Sequence, residues 1–110
     1  MKRLVLAAFL AASPVAAFSA TWSDVPLIDH NCADRYKGDP DKHATSCLLQ
    51  CAGSGFGIVD HGKWTKLDAT GNEKAVAALK ATTKKDHVRV NVSGERKGNV
   101  IHVSSLDIAS

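Results

Sequence analysis

The densest group of chemically reactive side chains lies between positions 29 and 51. This segment holds three cysteines, Cys32, Cys47 and Cys51, and two histidines, His30 and His43. Thiolate and imidazole groups are the ligands that Zn, Cu and Fe sites use in proteins. These five residues are therefore the candidate metal ligands, with Zn, Cu or a haem as the expected occupant.

The spacing of His43, Cys47 and Cys51 is that of one face of a helix. Steps of four residues turn about 400°, so the three side chains share a slowly drifting stripe. With a rise of about 1.5 Å per residue, the first and last lie roughly 12 Å apart along the axis. An unbroken helix therefore lets only a neighbouring pair bind one ion, with Cys32 or His30 completing the site from the preceding loop.

The same cysteines also suit a disulfide between Cys32 and either Cys47 or Cys51. Such a bridge would close a loop of about 15 to 20 residues and contribute about 3 kcal/mol in the chain-entropy model. A bridge between Cys47 and Cys51 is less suited, because side chains four apart on a helix are poorly aimed at each other. The odd thiol could link two chains, so the protein is expected to be a monomer or a disulfide-linked dimer. A structural disulfide, a metal or haem site and a redox-active thiol pair all remain open.

The sequence favours a protein that is not an enzyme, because no nucleophile, base and acid stand together. Ser54 has no base beside it, and Asp60 and Asp68 fall at opposite ends of a predicted hairpin. The glycine-rich stretch 53–57 follows a predicted helix and precedes a strand, whereas a phosphate-binding loop has the reverse order. No catalytic residue is therefore assigned.

Residues 1–20 have the pattern of a secretory signal peptide. Lys2 and Arg3 precede an apolar run, and small residues follow it, with acceptable cleavage after Ala17 or Ala20. The run is too short to span a bilayer, which takes about 20 residues. The pattern predicts a periplasmic or secreted bacterial protein, with residues 21–110 as a single domain and no membrane span.

The charge balance argues against nucleic acid as a partner. The full chain carries 14 Lys and Arg against 11 Asp and Glu. Without Lys2 and Arg3, twelve basic residues face eleven acidic ones. A domain so close to neutral lacks the basic surface that phosphate backbones require.

Apolar periodicity predicts five strands. The predicted strands are Val25–His30, Phe56–Asp60, Lys63–Asp68, His87–Ser93 and Val100–Ile108. Gly62 suits the tight turn between the second and third strands. The apolar phase of the last strand shifts midway, which predicts a bulge at Ser104-Ser105.

Two helices are predicted between the strands. The first runs from Asp39 to about Cys51, with Asp39 as N-cap and Pro40 at the first helical position. The second opens with a capping box of Thr70 and Glu73 and continues to about residue 83.

With the first helix taken as an insertion, the order is three strands, a helix and two strands. This α+β, mostly β order is that of the five-stranded Greek-key barrel of OB-folds, with a helix inserted after strand 1 and a helix between strands 3 and 4. The stretches GFGIVDHGKWTKLDATGNEKAVAAL and HVRVNVSGERKGNVIHVSSLDI, with a Cys-x3-Cys segment just before a Gly-Ile-Val strand, resemble small exported OB-fold-like proteins of bacteria.

The preferred hypothesis is a non-enzymatic, exported OB-like module that is stapled by a disulfide and binds a small ligand or a protein partner. The resemblance itself is structural. It supplies no catalytic residues. The alternatives are a periplasmic metal- or haem-handling protein that uses the His/Cys cluster, and a thiol-redox protein.

Overall fold

Five strands form one sheet that closes on itself in a ring. The structure is a computed structural model that describes residues 18–36 and 38–110. The predicted signal peptide therefore lies outside the described residues except for positions 18–20. The strand order around the ring is β1-β2-β3-β5-β4, and β4 returns to β1. The strands are β1 (Phe18–Asp29), β2 (Phe56–Asp60), β3 (Lys63–Leu67), β4 (Arg89–Lys97) and β5 (Val100–Ile108). The prediction of an α+β chain made mostly of strands is confirmed.

The first strand is longer than predicted, because it begins at Phe18 rather than at Val25. Its first part pairs antiparallel with β4, from Phe18 opposite Arg96 to Pro26 opposite Arg89. Its last three residues, 27–29, pair instead with β2. β1 thus pairs with both β4 and β2, and this double pairing closes the ring.

The predicted hairpin of β2 and β3 is confirmed, and β4 and β5 form a second hairpin in which β4 continues to Lys97, four residues beyond its predicted end at Ser93. His61 and Gly62 both have positive φ angles, 52° and 77°, as a tight two-residue hairpin turn requires. In the second hairpin, Ser93 pairs with Ser105 but Gly94 pairs with Val103, so one extra residue of β5 bulges there. That is the bulge predicted from the apolar phase.

The helix between β3 and β4 is also confirmed, as α3 (Ala69–Ala81), but its N-cap is not the predicted one. Asp68 rather than Thr70 caps the helix, since its side chain accepts a hydrogen bond from the Gly71 amide at 2.9 Å. The same carboxylate accepts from the Val103 amide at 3.2 Å. Asp68 therefore joins the helix start to β5 as well as capping it, which the Thr70 side chain does not do.

The predicted helix from Asp39 to Cys51 is wrong as a continuous element. Residues Pro40–Lys42 form a 3₁₀ turn, His43 is extended, and α2 (Thr45–Gln50) starts after it. The Thr45 hydroxyl and amide bind the carbonyls of Lys84 and Lys85, so contacts with a distant segment replace the helical bonds. Tertiary hydrogen bonding therefore overrides the local helical pattern.

The remaining elements between β1 and β2 are short. They are a 3₁₀ turn (His30–Cys32), α1 (Ala33–Tyr36) and a further 3₁₀ turn (Ala52–Ser54). In place of the single helix predicted after strand 1, the structure thus has a series of short helices and 3₁₀ turns between β1 and β2.

Apolar side chains from the inner face of the sheet fill the ring. The apolar alternation of the predicted strand His87–Ser93 is confirmed, because Val88, Val90 and Val92 are buried. Leu48 of α2 and Leu79 of α3 enter the same cluster. The buried residues of this core are Leu27, Leu48, Phe56, Ile58, Leu67, Ala75, Leu79, Val88, Val90, Val92, Ile101 and Val103.

Candidate functional site

The candidate site starts at Asp29, where β1 ends. The strand pairing places Asp29 opposite Phe56, and the carboxylate is completely buried. Its Oδ2 atom accepts a hydrogen bond from the Cys32 amide at 3.1 Å, which caps the 3₁₀ turn that follows. Since a buried carboxylate without partners is very costly, its other oxygen needs a donor as well.

His43 supplies that donor. Its Nε2 atom lies 2.7 Å from Asp29 Oδ1, and the His43 side chain is almost fully buried. Because the carboxylate only accepts, Nε2 carries the proton and donates it. The ring of Tyr36 stacks on the imidazole, with centroids 4.4 Å apart and an interplanar angle of 20°. The extended backbone of His43, which breaks the predicted helix, allows this burial.

The second ring nitrogen of His43 has no hydrogen-bond partner among the described residues. Nε2 is bound to Asp29, so neither nitrogen binds a cysteine. His43 therefore does not act as a base for a cysteine nucleophile in this arrangement.

Two cysteines meet at the same carboxylate. One ligand atom each from Asp29, Cys32 and Cys51 lies within 4.8 Å of the other two. Both cysteines are half-buried, and all three cysteines of the chain are free thiols. Asp29, Cys32 and Cys51 are called the thiol cluster below.

Ser54 holds the two cysteine segments together. Its hydroxyl donates to the carbonyl of Cys51 at 2.8 Å and accepts from the amide of Asn31 at 3.3 Å. Next to this bridge, the His30 amide donates to the Gly55 carbonyl at 2.8 Å. The turn that carries Cys32 is therefore docked on the turn that follows Cys51, and this contact sets the distance between the two thiols.

Beside the thiol cluster, the Trp64 side chain packs closely against the backbone of β2 at Gly57. The Trp64 indole donates to the Ile28 carbonyl at 3.0 Å, one residue before Asp29. A Cβ atom at Gly57 would lie 2.4 Å from the Trp64 ring and 2.5 Å from the Thr65 carbonyl oxygen. Only glycine thus allows the indole to cross β2 and fix the end of β1. Ile28, Ala33 and Val59 form a second apolar cluster here, with Cys32, Tyr36 and Trp64 packed on it.

The environment of Cys32 favours its neutral thiol. Burial raises the pKa of this thiol, and the Asp29 charge and hydrogen bond and the neighbouring Cys51 raise it further. A reactive redox cysteine needs the opposite shift, because its thiolate is the nucleophile. The cluster is thus poorly suited to fast thiol-redox catalysis through Cys32.

The structure brings together only part of the set predicted from the sequence. Cys32 and Cys51 meet, but the predicted helical stripe of His43, Cys47 and Cys51 is wrong because the helix is broken at His43. Cys47 lies on α2, outside the thiol cluster. The exposed His30 also lies outside it, with its ring 5.4 Å from that of Trp64.

Asp29 is the member of the cluster that the sequence did not select. Its carboxylate belongs to the reactive segment, but an acidic residue at the end of a strand is common and carries no ligand signal. Only the fold of the segment back onto β2 brings Cys51 to it. The expected disulfide from Cys32 to Cys47 or Cys51 is not formed, and of the two partners only Cys51 shares the cluster.

Comparisons with known proteins add no identity to these observations. No family model, curated protein or solved structure matches the chain. Within residues 18–36 and 38–110, the structure contains no helix with the length and apolar character of a membrane span. The site itself is therefore the basis for a functional conclusion.

Proposed function

We propose that this protein is an exported module that binds one soft or borderline transition-metal ion, of the Zn²⁺ or Cu⁺ class, through Cys32, Cys51 and Asp29. A single observation carries the proposal, namely the three ligand atoms that lie within 4.8 Å of one another. Two sulfur ligands and one carboxylate favour such ions over Mg²⁺ or Ca²⁺, which prefer oxygen ligands alone.

The spacing of the thiol cluster suits a tetrahedral ion. Zinc–sulfur bonds of about 2.3 Å place two tetrahedral sulfur ligands about 3.8 Å apart. That separation falls within the observed limit of 4.8 Å between the ligand atoms. Asp29 supplies the third ligand, and a fourth position remains for water or an exogenous ligand.

The partners of Asp29 support the same proposal. Metal-bound carboxylates are usually hydrogen-bonded in turn, which fixes their orientation. Here His43 holds Oδ1 and the Cys32 amide holds Oδ2. His43 thus acts as a positioning residue for the carboxylate and not as a ligand.

The scaffold that we propose is an OB-like barrel in an exported protein. A ring in the order β1-β2-β3-β5-β4 with a helix between β3 and β4 supports it. The signal-peptide pattern of residues 1–20 supports export to the periplasm or the medium.

A small-ligand or protein partner, the broader expectation from the sequence, has one supporting feature. A cleft of about 330 Å³ lies between the 3₁₀ turn Ala52–Ser54 and β3, lined in part by His30, Trp64 and Lys66. The metal proposal is preferred because the thiol cluster is a specific donor set, whereas the cleft combines aromatic and polar groups without a defined ligand.

Titration of the reduced, chelator-stripped mature protein with Co²⁺, followed by competition with Zn²⁺, tests the proposal. We expect one Co²⁺ per chain, with the near-ultraviolet absorption of sulfur–cobalt bonds, and displacement by Zn²⁺. Cys32→Ser and Cys51→Ser should each weaken binding at least tenfold. Cys47→Ser is the matched control, because it removes a thiol of the same segment from outside the cluster, and it should bind as the wild type does.

Two results would refute the proposal. One is a reduced, folded wild-type protein that takes up neither ion. The other is a Cys47→Ser variant that loses binding as strongly as Cys51→Ser. Far-ultraviolet circular dichroism of each variant shows whether a loss of binding comes from unfolding.

A further inference from the structure

We propose that Cys32 and Cys51 also form a reversible disulfide, and that this disulfide and the metal ion exclude each other. The inference rests on the proposed metal site and adds its regulation. Metal would then be held by the reduced protein and released, or never taken up, by the oxidised one.

The geometry selects this pair of cysteines. Their sulfur atoms lie within 4.8 Å, so formation of a bond of about 2.05 Å requires an approach of at most about 2.7 Å. Cys32 ends a 3₁₀ turn and Cys51 caps α2, so neither belongs to a strand that would resist a small movement. Cys47 lies outside the cluster and is left as the single thiol.

The surroundings keep the two sulfur atoms together in both states. The Ser54 hydroxyl connects the amide of Asn31, the residue before Cys32, to the carbonyl of Cys51 itself. These bonds involve no sulfur atom, so they persist when the thiols are oxidised. Both thiols are half-buried rather than enclosed, which leaves them open to an oxidant.

The oxidant is a disulfide-bonded molecule of the exported compartment. One cysteine, as its thiolate, attacks a sulfur of that disulfide, breaks its S–S bond and forms a mixed disulfide, and the leaving sulfur takes up a proton. The other cysteine then attacks the protein sulfur of the mixed disulfide, which forms the Cys32–Cys51 bond and releases the second thiol. The two protein thiols together lose two protons and two electrons, and the oxidant gains both.

Metal binding needs the same sulfur atoms in another form. The ligand is a thiolate, and a disulfide sulfur carries no such charge. Oxidation therefore leaves Asp29 as the one ionic ligand of the cluster. Conversely, a bound ion occupies both thiolates and slows their oxidation.

The test uses the full mature protein, reduced and freed of metal, then exposed to excess oxidised glutathione with and without saturating Zn²⁺. Alkylation and intact mass count the free thiols, peptide mapping locates the bond, and a colorimetric chelator measures bound zinc. We expect three free thiols before oxidation and one afterwards, on Cys47. Zinc uptake should fall from one ion per chain to none, and saturating Zn²⁺ should slow disulfide formation at least tenfold. Cys47→Ser, as control, should go from two free thiols to none with the same loss of zinc.

The outcomes separate this inference from the proposed function. Zinc retained by protein that carries the Cys32–Cys51 bond overturns the inference and leaves the metal site standing. A bond from Cys32 to Cys47, or oxidation that is equally fast with and without Zn²⁺, overturns it as well. Failure of the reduced protein to bind zinc overturns the proposed function, and the inference with it.

Discussion

Replacement of His43 by alanine is expected to destabilise the fold strongly, although no ligand atom of the thiol cluster is removed. Asp29 is completely buried, and its Oδ1 atom has His43 as a hydrogen-bond donor at 2.7 Å. Without the imidazole, the carboxylate keeps only its contacts with Cys32, through the amide on the other oxygen and the thiol. Leaving a buried polar group without its hydrogen-bond partner costs about 1 to 3 kcal/mol, and more where that group is charged. Total stabilities of about 5 to 15 kcal/mol make this a large loss for a domain of this size.

A double-mutant cycle with Asp29→Ala shows whether the loss comes from the pair. Each single variant leaves one member of the pair without the other, whereas the double variant removes both members. The double variant should therefore cost less than the two single variants together, by about 1 to 3 kcal/mol. Urea unfolding followed by tryptophan fluorescence gives each free energy, with chelator and reductant present so that the cluster stays empty and reduced.

His61→Ala is the matched control, since His61 also lies beside an aspartate. Its Nδ1 atom is 3.0 Å from Asp60, but the His61 side chain is 93% exposed. Exposed pairs contribute about 0 to 1 kcal/mol, so this variant should be nearly as stable as the wild type. If His43→Ala cost no more than His61→Ala, or if the costs of His43→Ala and Asp29→Ala were additive, the buried pair would not have the role assigned to it.

Two further predictions concern the ends of β1 and β4. If the protein is exported as we propose, its mature chain should begin at Phe18, because cleavage after Ala17 preserves all of β1. Mass spectrometry of the N-terminus checks this, and a chain that began three residues later would contradict it. Arg89 binds both carboxylate oxygens of Asp41 at 3.2 Å and lowers the pKa of that carboxyl below its ordinary value of 3.8. Because a lowered pKa stabilises the fold above the unfolded pKa, Arg89→Met should cost about 0.5 to 1 kcal/mol at pH 7, the screened value for a pair about one-third exposed. The difference from wild type should shrink as the pH falls below about 4, and unfolding curves with a constant difference down to pH 2 would contradict the reasoning.

Most of the sheet follows from the sequence, because the alternation of side chains along a strand is a local property. Val88, Val90 and Val92 locate β4, although the strand begins one residue after Val88 and continues to Lys97. The phase shift in β5 places its bulge correctly. The start of β1 was missed for a different reason. Phe18, Ala20 and Trp22 do alternate with Ser19, Thr21 and Ser23. This stretch, however, directly follows the apolar signal-peptide pattern, and its strand pairs with β4, which is far away along the chain.

Prediction from local sequence patterns was also limited at the thiol cluster. The sequence indicated the segment and two of the three residues, Cys32 and Cys51. It failed at His43, because the pattern of residues 39–51 is helical while hydrogen bonds to Lys84 and Lys85 and the burial of His43 against Asp29 favour a broken helix. Periodicity carries no information on such distant contacts, so neither the break nor the role of Asp29 could be read from it.

The thiol cluster is positioned by the buried core of the domain and not only by the turns that carry its cysteines. Leu48 on α2 is completely buried in the same core as Leu27 and Phe56, and Cys51 caps that helix one turn later. Leu27 lies two residues before Asp29 on β1, so core packing also fixes the carboxylate. The elements that fill the ring thus set the separation of the ligands. A metal ion bound to the folded state alone, as we propose, would stabilise the fold by an amount that grows with its concentration relative to its Kd. The elements so stabilised would include β1, the strand that closes the ring.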